Sequence, residues 1–186
     1  MGQYRPYRIA RIEEYGKDLR VFELDGKLDY RPSQFVFIWL AEISAEKPFA
    51  VAGSSPLTFI IRERPYDPAE NRGLFTHEVF AKKVGDTLFI RGPYGRPPPV
   101  TRKRRACLVV GGTGLAVAPG LVQELAEARK QIVVYYGITS PEPVAFRQTI
   151  ERFARYIPIA DEGVIGRVLQ VMHSDLQDEP MEDICF

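Results

Sequence analysis

The middle of the chain reads Cys107-Leu-Val-Val-Gly-Gly-Thr-Gly-Leu-Ala-Val-Ala-Pro-Gly-Leu121. Residues 107–110 are apolar and rich in β-branched side chains, which predicts a short buried strand. A glycine-rich turn follows over Gly111–Gly114, and residues 115–129 predict a helix. Strand, glycine-rich turn and helix are typical of a mononucleotide-binding unit, because glycine lets phosphates approach the backbone and the helix start offers unpaired N–H groups.

The glycine spacing alone leaves two interpretations open. Gly-Gly-Thr-Gly differs from the Gly-x-Gly-x-x-Gly fingerprint, and such a turn can also join a strand to a helix without binding anything. Further along the chain, predicted strands at 132–137 and 157–160 alternate with predicted helices at 143–156 and 165–173, and residues 184–186 begin another strand. This alternation predicts a doubly wound α/β domain with a parallel sheet. Ligands of such sheets bind beyond the carboxyl ends of the strands, where residues 111–114 and 137–140 fall.

Short apolar runs separated by turn signals fill the first hundred residues. Strands are predicted at 7–12, 19–24, 34–40, 49–52, 57–62 and 87–91. Many short strands joined by turns predict a small antiparallel barrel or sandwich. One helix interrupts them, with Thr76 as the candidate N-cap of residues 77–83. Its start could either plug one end of the barrel or meet a phosphate.

A stiff connection separates the two halves. The run Gly92-Pro-Tyr-Gly-Arg-Pro-Pro-Pro-Val100 predicts an extended linker. The basic residues 101–105 that follow could form a nucleic-acid patch or a solvated linker, and the small net charge favours the linker. A boundary here gives two predicted domains, residues 1–101 and 102–186.

Composition argues against several classes of protein. The 186 residues are 45% hydrophobic and 26% charged with a net charge of +1, which predicts a globular domain with no general attraction to nucleic acid or membrane. Without an apolar spanning run or signal segment, the expected location is cytoplasmic. Cys107 and Cys185 are expected to be buried thiols, and two cysteines cannot supply the four thiolates of an iron–sulfur cluster. His77 and His173 have no metal-ligand spacing, so we expect them at the surface and predict no metal site.

Several motifs, taken in order, resemble the ferredoxin–NADP reductase-like superfamily. Its members pair a flavin-binding antiparallel barrel with a nicotinamide-nucleotide-binding α/β domain. The similar segments are Lys47-Pro-Phe-Ala-Val-Ala52, Gly73-Leu-Phe-Thr76, Gly85-Asp86 with Gly92-Pro-Tyr-Gly95, Gly111-Gly-Thr-Gly-Leu-Ala116, and Tyr136-Gly137 with Pro141-Glu142 and Phe146-Arg147. Within the superfamily, the chain looks most like electron-transfer subunits of dihydroorotate dehydrogenase and gamma subunits of soluble hydrogenases.

The resemblance implies a flavin-dependent oxidoreductase subunit that passes electrons between NAD(P)H and a partner redox subunit or iron–sulfur protein in a hetero-oligomer. FAD is expected rather than FMN, with NAD(H) or NADP(H) as the second cofactor and no iron–sulfur cluster in this chain. The cofactors carry the chemistry, so no catalytic side chain is expected. The residues expected to bind cofactors are Lys47, Pro48, Phe49, Ala50, Val51, Arg62, Gly73, Leu74, Phe75, Thr76, Gly111, Gly112, Thr113, Gly114, Thr139 and Ser140.

The resemblance also implies roles for these residues. Phe49 is expected to pack on the isoalloxazine, and Lys47, Arg62 and the helix start at residues 73–76 to hold the flavin phosphates. Residues 112–115 and 139–140 are expected to hold the nicotinamide nucleotide. Lys47 stands where the superfamily carries arginine, and lysine keeps the charge but loses the bidentate fork. Ala50 stands where it carries Ser or Thr near flavin N5, so a backbone N–H near Ala50–Val51 is expected to serve there.

Two alternatives stay open. The superfamily continues past the strand at 184–186 into a Cys-Gly-Pro segment, so the nucleotide domain is predicted to be incomplete at its C-terminus. Together with Lys47 and Ala50, this leaves a second function, a non-catalytic binding or assembly subunit that keeps the reductase fold without turnover. NAD and NADP are both possible, because residues 137–140 hold no carboxylate and Arg147 or Arg152 could meet a 2′-phosphate.

Overall fold

A computed structural model describes residues 3–70, 72–99, 101–138, 144–160, 164–177 and 184–185. The chain divides into two compact units, an N-terminal unit (Met1–Pro97) and a C-terminal unit (Pro98–Phe186). The predicted domain limits, 1–101 and 102–186, and the cofactor roles assigned to each domain stay predictions.

The N-terminal unit is an antiparallel sheet with one helix. Its strands are β1 (Arg5–Tyr15), β2 (Leu19–Leu24), β3 (Phe35–Leu40), β4 (Ala45–Ala50), β5 (Gly53–Ser54), β6 (Leu57–Arg62) and β7 (Thr87–Tyr94), with helix α1 (Leu74–Ala81) and a 3₁₀ turn at Ala41–Ile43. They lie in the order β4-β3-β7-β1-β2-β6-β5. After β4, the N–H of Val51 donates to the carbonyl of Gln34, just before β3, at 3.1 Å. The N–H of Ala52 donates to the carbonyl of Thr58 in β6 at 2.9 Å, so these consecutive residues connect the β3–β4 end of the sheet to the β5–β6 end. The predicted antiparallel fold of this half is confirmed.

Strand alternation builds the core of this unit. In β3, Val36, Ile38 and Leu40 are at most 1% exposed. The intervening aromatic residues of β3, at positions 35, 37 and 39, are half-buried on the opposite face. Phe75 and Val79 of α1 pack into the same core, so the helix fills the interior of the unit.

Several strand predictions in this unit are wrong at their ends, and β1, for example, extends over residues 5–15 rather than 7–12. β4 covers residues 45–50 rather than 49–52, because it is an edge strand paired only with β3, and an edge tolerates exposed Lys47 and Pro48. β7 continues to Tyr94, which pairs with Phe35 after a shift in register. That irregularity admits Pro93 into the sheet, so residues 92–94 belong to the strand and not to the linker.

The predicted start of the helix is also wrong. α1 begins at Leu74, three residues before the prediction, and the N–H of His77 closes the first turn on the carbonyl of Gly73 at 3.0 Å. Gly73 is the N-cap residue and has a left-handed φ of 76°. Thr76 therefore lies inside the helix, where its hydroxyl donates back to the Gly73 carbonyl at 3.1 Å.

The C-terminal unit is a parallel sheet with helices. It contains strands β8 (Arg105–Gly111), β9 (Gln131–Ile138), β10 (Arg155–Ala160) and β11 (Ile184–Cys185), a 3₁₀ helix at Gly112–Val117, and helices α2 (Ala118–Glu127), α3 (Arg147–Glu151) and α4 (Val164–Asp175). The order β10-β9-β8-β11 places later strands on both sides of β8. This reversal is the switch point at which such sheets bind ligands. The predicted doubly wound fold is confirmed, and Cys107 of β8 is buried as expected.

The largest errors in this unit concern helix boundaries, while strands β8, β9 and β10 are each longer than predicted. An α-helix beginning at Leu115 would need an N–H from Pro119, which has none, so residues 112–117 form a 3₁₀ helix and α2 begins at Ala118. The helix predicted over 143–156 is only the five-residue α3, which follows Phe146 at a left-handed φ of 60°. Tyr156 pairs with Val134 in the sheet, so the end of the predicted helix is strand β10.

Candidate functional site

The β4 motif meets the first turn of α1. Lys47 and Phe49 lie on the same face of β4. They pair across the ladder with Ile38 and Val36 of β3, which are buried. The Phe49 ring is half-buried and stacks on Phe75, with centroids 5.8 Å apart and an interplanar angle of 29°. Two segments that the sequence assigned to one flavin site are therefore in contact.

Backbone alternation identifies an available amide on β4. Val51 donates its N–H to Gln34, which makes residues 51 and 34 a hydrogen-bonded pair. The next pair, Ala50 and Phe35, is then a non-hydrogen-bonded pair, so the N–H of Ala50 points away from β3 toward the free edge. Pro48, which lacks an N–H, occupies the equivalent position two residues earlier. Of the amides near Ala50–Val51, the one at Ala50 is the candidate flavin contact.

The start of α1 is bound to the segment before it. A Cβ at Gly73 would lie 2.4 Å from the carbonyl oxygen of Pro65 and 2.8 Å from that of Arg64. The N–H of Arg64 donates to the hydroxyl of Thr76 at 3.0 Å. Gly73 therefore has a role in the backbone packing of this unit, whatever binds at the helix start.

Three cations differ in their surroundings. Arg62, at the end of β6, forms an ion pair with Asp18 at 2.6 Å. Lys47 and Arg64 are exposed, and the described residues supply neither side chain with a carboxylate partner. Sequence reasoning missed Arg64, although the spacing Arg62-x-Arg64 just before the Gly73-x-x-Thr76 motif was a usable signal.

The glycine-rich turn of the C-terminal unit is open. Gly111 ends β8 beside Gly137 of β9, as expected for the carboxyl ends of neighbouring parallel strands. Gly112 has a φ of 52°, and a Cβ added there or at Gly114 would meet no heavy atom within 4 Å. Thr113 is exposed between them. A side chain would find open space at these glycines, in contrast to Gly73, so the turn has room for a ligand there.

The remaining predicted positions contribute less. Thr139 and Ser140 lie outside the described residues. The guanidinium of Arg147 is 2.8 Å from Glu151 one turn later, and that of Arg152 lies 5.5 Å from the ring centroid of Phe153. Within the described ranges, no group of three or more His, Cys, Asp or Glu side chains could hold a metal ion. The same ranges contain no helix long and apolar enough to cross a membrane.

Comparisons with curated proteins find dihydroorotate dehydrogenase electron transfer subunits among the relatives. Probable dihydroorotate dehydrogenase B (NAD(+)) electron transfer subunits are 28% identical over 87% of the chain in Thermococcus kodakarensis and 33% identical over 87% in Pyrococcus abyssi. The chain covers 65% and 60% of these relatives, respectively, so it spans less than two thirds of their length. No family model matches the chain.

Solved structures agree on the fold. The NADH-dependent reduced ferredoxin-NADP oxidoreductase is 26% identical with a TM-score of 0.78 over 97% of the chain and 66% of that structure. Ferredoxin-NADP+ reductase from Plasmodium falciparum, in its H286L mutant form, is 13% identical with a TM-score of 0.76 over 95% of the chain and 79% of that structure. The chain therefore has the fold of the ferredoxin–NADP reductase-like superfamily, and dihydroorotate dehydrogenase B electron transfer subunits are its sequence relatives.

Proposed function

We propose that this chain is the cofactor-binding part of a flavin-dependent electron-transfer subunit, an oxidoreductase component that passes electrons between NADH or NADPH and a partner redox protein. The observation that carries the proposal is the open turn at Gly112–Gly114, which follows the strand at the switch point of the parallel sheet. The electron-transfer role named for the sequence relatives gives further support.

The N-terminal unit has residues that fit a flavin nucleotide. The exposed side chains of Lys47 and Arg64 would supply positive charge for phosphates, together with the N–H groups at the start of α1. Phe49 offers a half-buried aromatic face to the flavin ring, and Ala50 offers the N–H of an unpaired strand edge. Arg62 would join this set by exchanging Asp18 for a phosphate. FAD is favoured over FMN because the resemblance is to FAD-binding reductases.

The C-terminal unit has residues that fit a nicotinamide dinucleotide. The backbone N–H groups of residues 112–114 would bind its pyrophosphate, because their glycines leave room for the phosphate oxygens. A bound flavin would supply the redox chemistry, since flavins exchange two electrons with a nicotinamide and one at a time with a metal centre. The protein's tasks are then to hold the two cofactors and to limit access of water. The partner protein would carry the metal centre, so we propose a hetero-oligomer.

Cofactor loading followed by anaerobic reduction tests the proposal. The purified protein is saturated with FAD, and in parallel with FMN, then desalted and titrated with NADH or NADPH while the flavin absorption is recorded. We expect a retained FAD spectrum that one of the two nucleotides bleaches. A colourless protein after saturation would refute flavin binding and favour the non-catalytic alternative, and a flavin spectrum that neither nucleotide bleaches would refute the electron path.

A charge variant locates the flavin site. Lys47→Gln removes the ammonium from β4, and we expect the Kd for FAD to rise about tenfold, since a hydrogen bond to a charged group contributes roughly 1.5–3 kcal/mol before screening by solvent. Lys27→Gln is the matched control, because Lys27 is also exposed in the N-terminal unit but belongs to none of the motifs. Equal affinities of the two variants would place the flavin phosphates elsewhere.

A further inference from the structure

Tyr136 connects the second strand of the C-terminal unit to the glycine-rich turn after the first. Its side chain is 3% exposed, and its hydroxyl donates to the backbone carbonyl of Gly112 at 3.2 Å. Gly111 and Gly137, each adjacent in sequence to one of these residues, face each other in the β8–β9 ladder. The contact therefore lies where two parallel strands end side by side, next to the open turn.

The direction of the Gly112 carbonyl fixes the direction of the next amide. In a trans peptide, the C=O of one residue and the N–H of the following residue lie in one plane and point in opposite directions. Because the Gly112 carbonyl points inward to the buried Tyr136 hydroxyl, the N–H of Thr113 points outward. Thr113 is exposed, so this N–H is directed to the space that the glycines leave open.

We propose that Tyr136 is a positioning residue for nucleotide binding, which aims the Thr113 N–H at a pyrophosphate by holding the Gly112 carbonyl. The inference rests on the proposed binding of a dinucleotide at this turn and goes beyond it by assigning a role to a buried side chain that need not touch the ligand.

Tyr156 provides a matched control for the same chemical change. Its ring centroid lies 6.2 Å from that of Tyr136 at an angle of 31°. Its hydroxyl is buried and has no hydrogen-bond partner in the described part of the chain. Replacing either tyrosine by phenylalanine removes one hydroxyl oxygen from the same aromatic pair, but only Tyr136→Phe removes a hydrogen bond to the Gly112 carbonyl.

Two measurements on Tyr136→Phe and Tyr156→Phe test the inference. In the free protein, we expect the ¹H–¹⁵N resonance of Thr113 to shift in Tyr136→Phe and to stay in place in Tyr156→Phe. Calorimetric titration uses ADP-ribose, or its 2′-phosphate if the protein selects NADP. We expect the Kd to be about two- to tenfold higher in Tyr136→Phe, the range expected for the loss of one hydrogen bond, and unchanged in Tyr156→Phe. Equal thermal unfolding of the two variants would show that both keep the fold.

The outcomes separate this inference from the proposed function. If the wild-type protein binds ADP-ribose and Tyr136→Phe binds it equally well, the positioning role is overturned while the nucleotide site stands. If Tyr156→Phe weakens binding as much as Tyr136→Phe does, the effect belongs to packing of the aromatic pair and the inference is again overturned. If the wild-type protein binds neither form of ADP-ribose, the proposed function fails, and the role of Tyr136 in binding fails with it.

Discussion

Replacing Gly73 by alanine tests the backbone packing at the start of α1. Gly73 has a φ of 76°, and an added Cβ would lie 2.4 Å from the carbonyl oxygen of Pro65 and 2.8 Å from that of Arg64. Both obstacles are backbone atoms, so they cannot rotate away as the end of a side chain could. The N–H of Arg64 is also tied to the hydroxyl of Thr76, which limits movement of this segment. We therefore expect a large loss of stability from one methyl group.

The loss has two parts, and Gly85 isolates one of them. A left-handed backbone costs a residue with a Cβ about 1–2 kcal/mol, and overpacking adds about 1–3 kcal/mol. The sum for Gly73→Ala is a loss of about 2–5 kcal/mol in the free energy of unfolding. Gly85 also has a positive φ, 96°, but a Cβ there would meet no atom within 4 Å. Gly85→Ala should therefore lose only the first part, about 1–2 kcal/mol.

Urea unfolding followed by tryptophan fluorescence measures both variants. The chain has one tryptophan, Trp39, which lies in β3 of the N-terminal unit and packs on Phe89 with ring centroids 5.4 Å apart. Its signal therefore reports the unit that contains both glycines. If Gly73→Ala and Gly85→Ala lose equal stability within about 0.5 kcal/mol, the close approach to Pro65 does not limit this site and the reasoning is refuted.

Three further predictions concern binding and stability. Gly114→Ala should leave the free energy of unfolding within about 0.5 kcal/mol of wild type, because its Cβ has open space, while calorimetric titration shows weaker binding of ADP-ribose. The Arg91 guanidinium holds the pKa of Glu46 below its usual value, so the stability that this pair contributes is present above pH 4.5 and lost as the pH falls through the lowered pKa. Urea unfolding of Glu46→Gln across this range should therefore show a flatter loss of stability toward acid pH than wild type. Arg62→Ala should raise the Kd for FAD, whereas Asp18→Ala, which removes only the carboxylate partner, should leave the Kd unchanged or lower it, as flavin fluorescence titration would show.

Local patterns predicted most of the strands, and tertiary pairing set the ends that they missed. The bounds of β2 and β6 match the prediction because turn residues flank short apolar runs on both sides. The start of α2 was also readable, since Pro119 cannot donate the N–H that an earlier start requires. In contrast, residues 92–94 belong to the sheet because Tyr94 pairs with Phe35 after a shift in register. The local sequence around residues 92–94 does not predict that pairing.

The sequence motifs predicted which segments form the candidate sites, but not which residues of those segments are in contact. The motifs near Phe49 and Phe75 were assigned to one site from resemblance, and the structure brings the two rings together. The hydrogen bond from Tyr136 to Gly112 joins residues 24 apart, which sequence spacing does not show. It becomes understandable once the parallel register is known, because the carboxyl ends of consecutive strands then lie side by side.

Two glycine motifs that the sequence assigned to phosphate binding are physically different. Gly73 is surrounded by backbone, so its lack of a Cβ is already required by the fold and does not by itself indicate a ligand. Gly114 has open space and no positive φ, so neither packing nor backbone strain accounts for a glycine there. A glycine that the fold does not require is the stronger indication of a bound group, because only a ligand needs the room that it leaves. The proposed nucleotide site of the C-terminal unit therefore rests on its glycines, whereas the proposed flavin site of the N-terminal unit rests on the charges of Lys47 and Arg64, the ring of Phe49 and the free edge of β4.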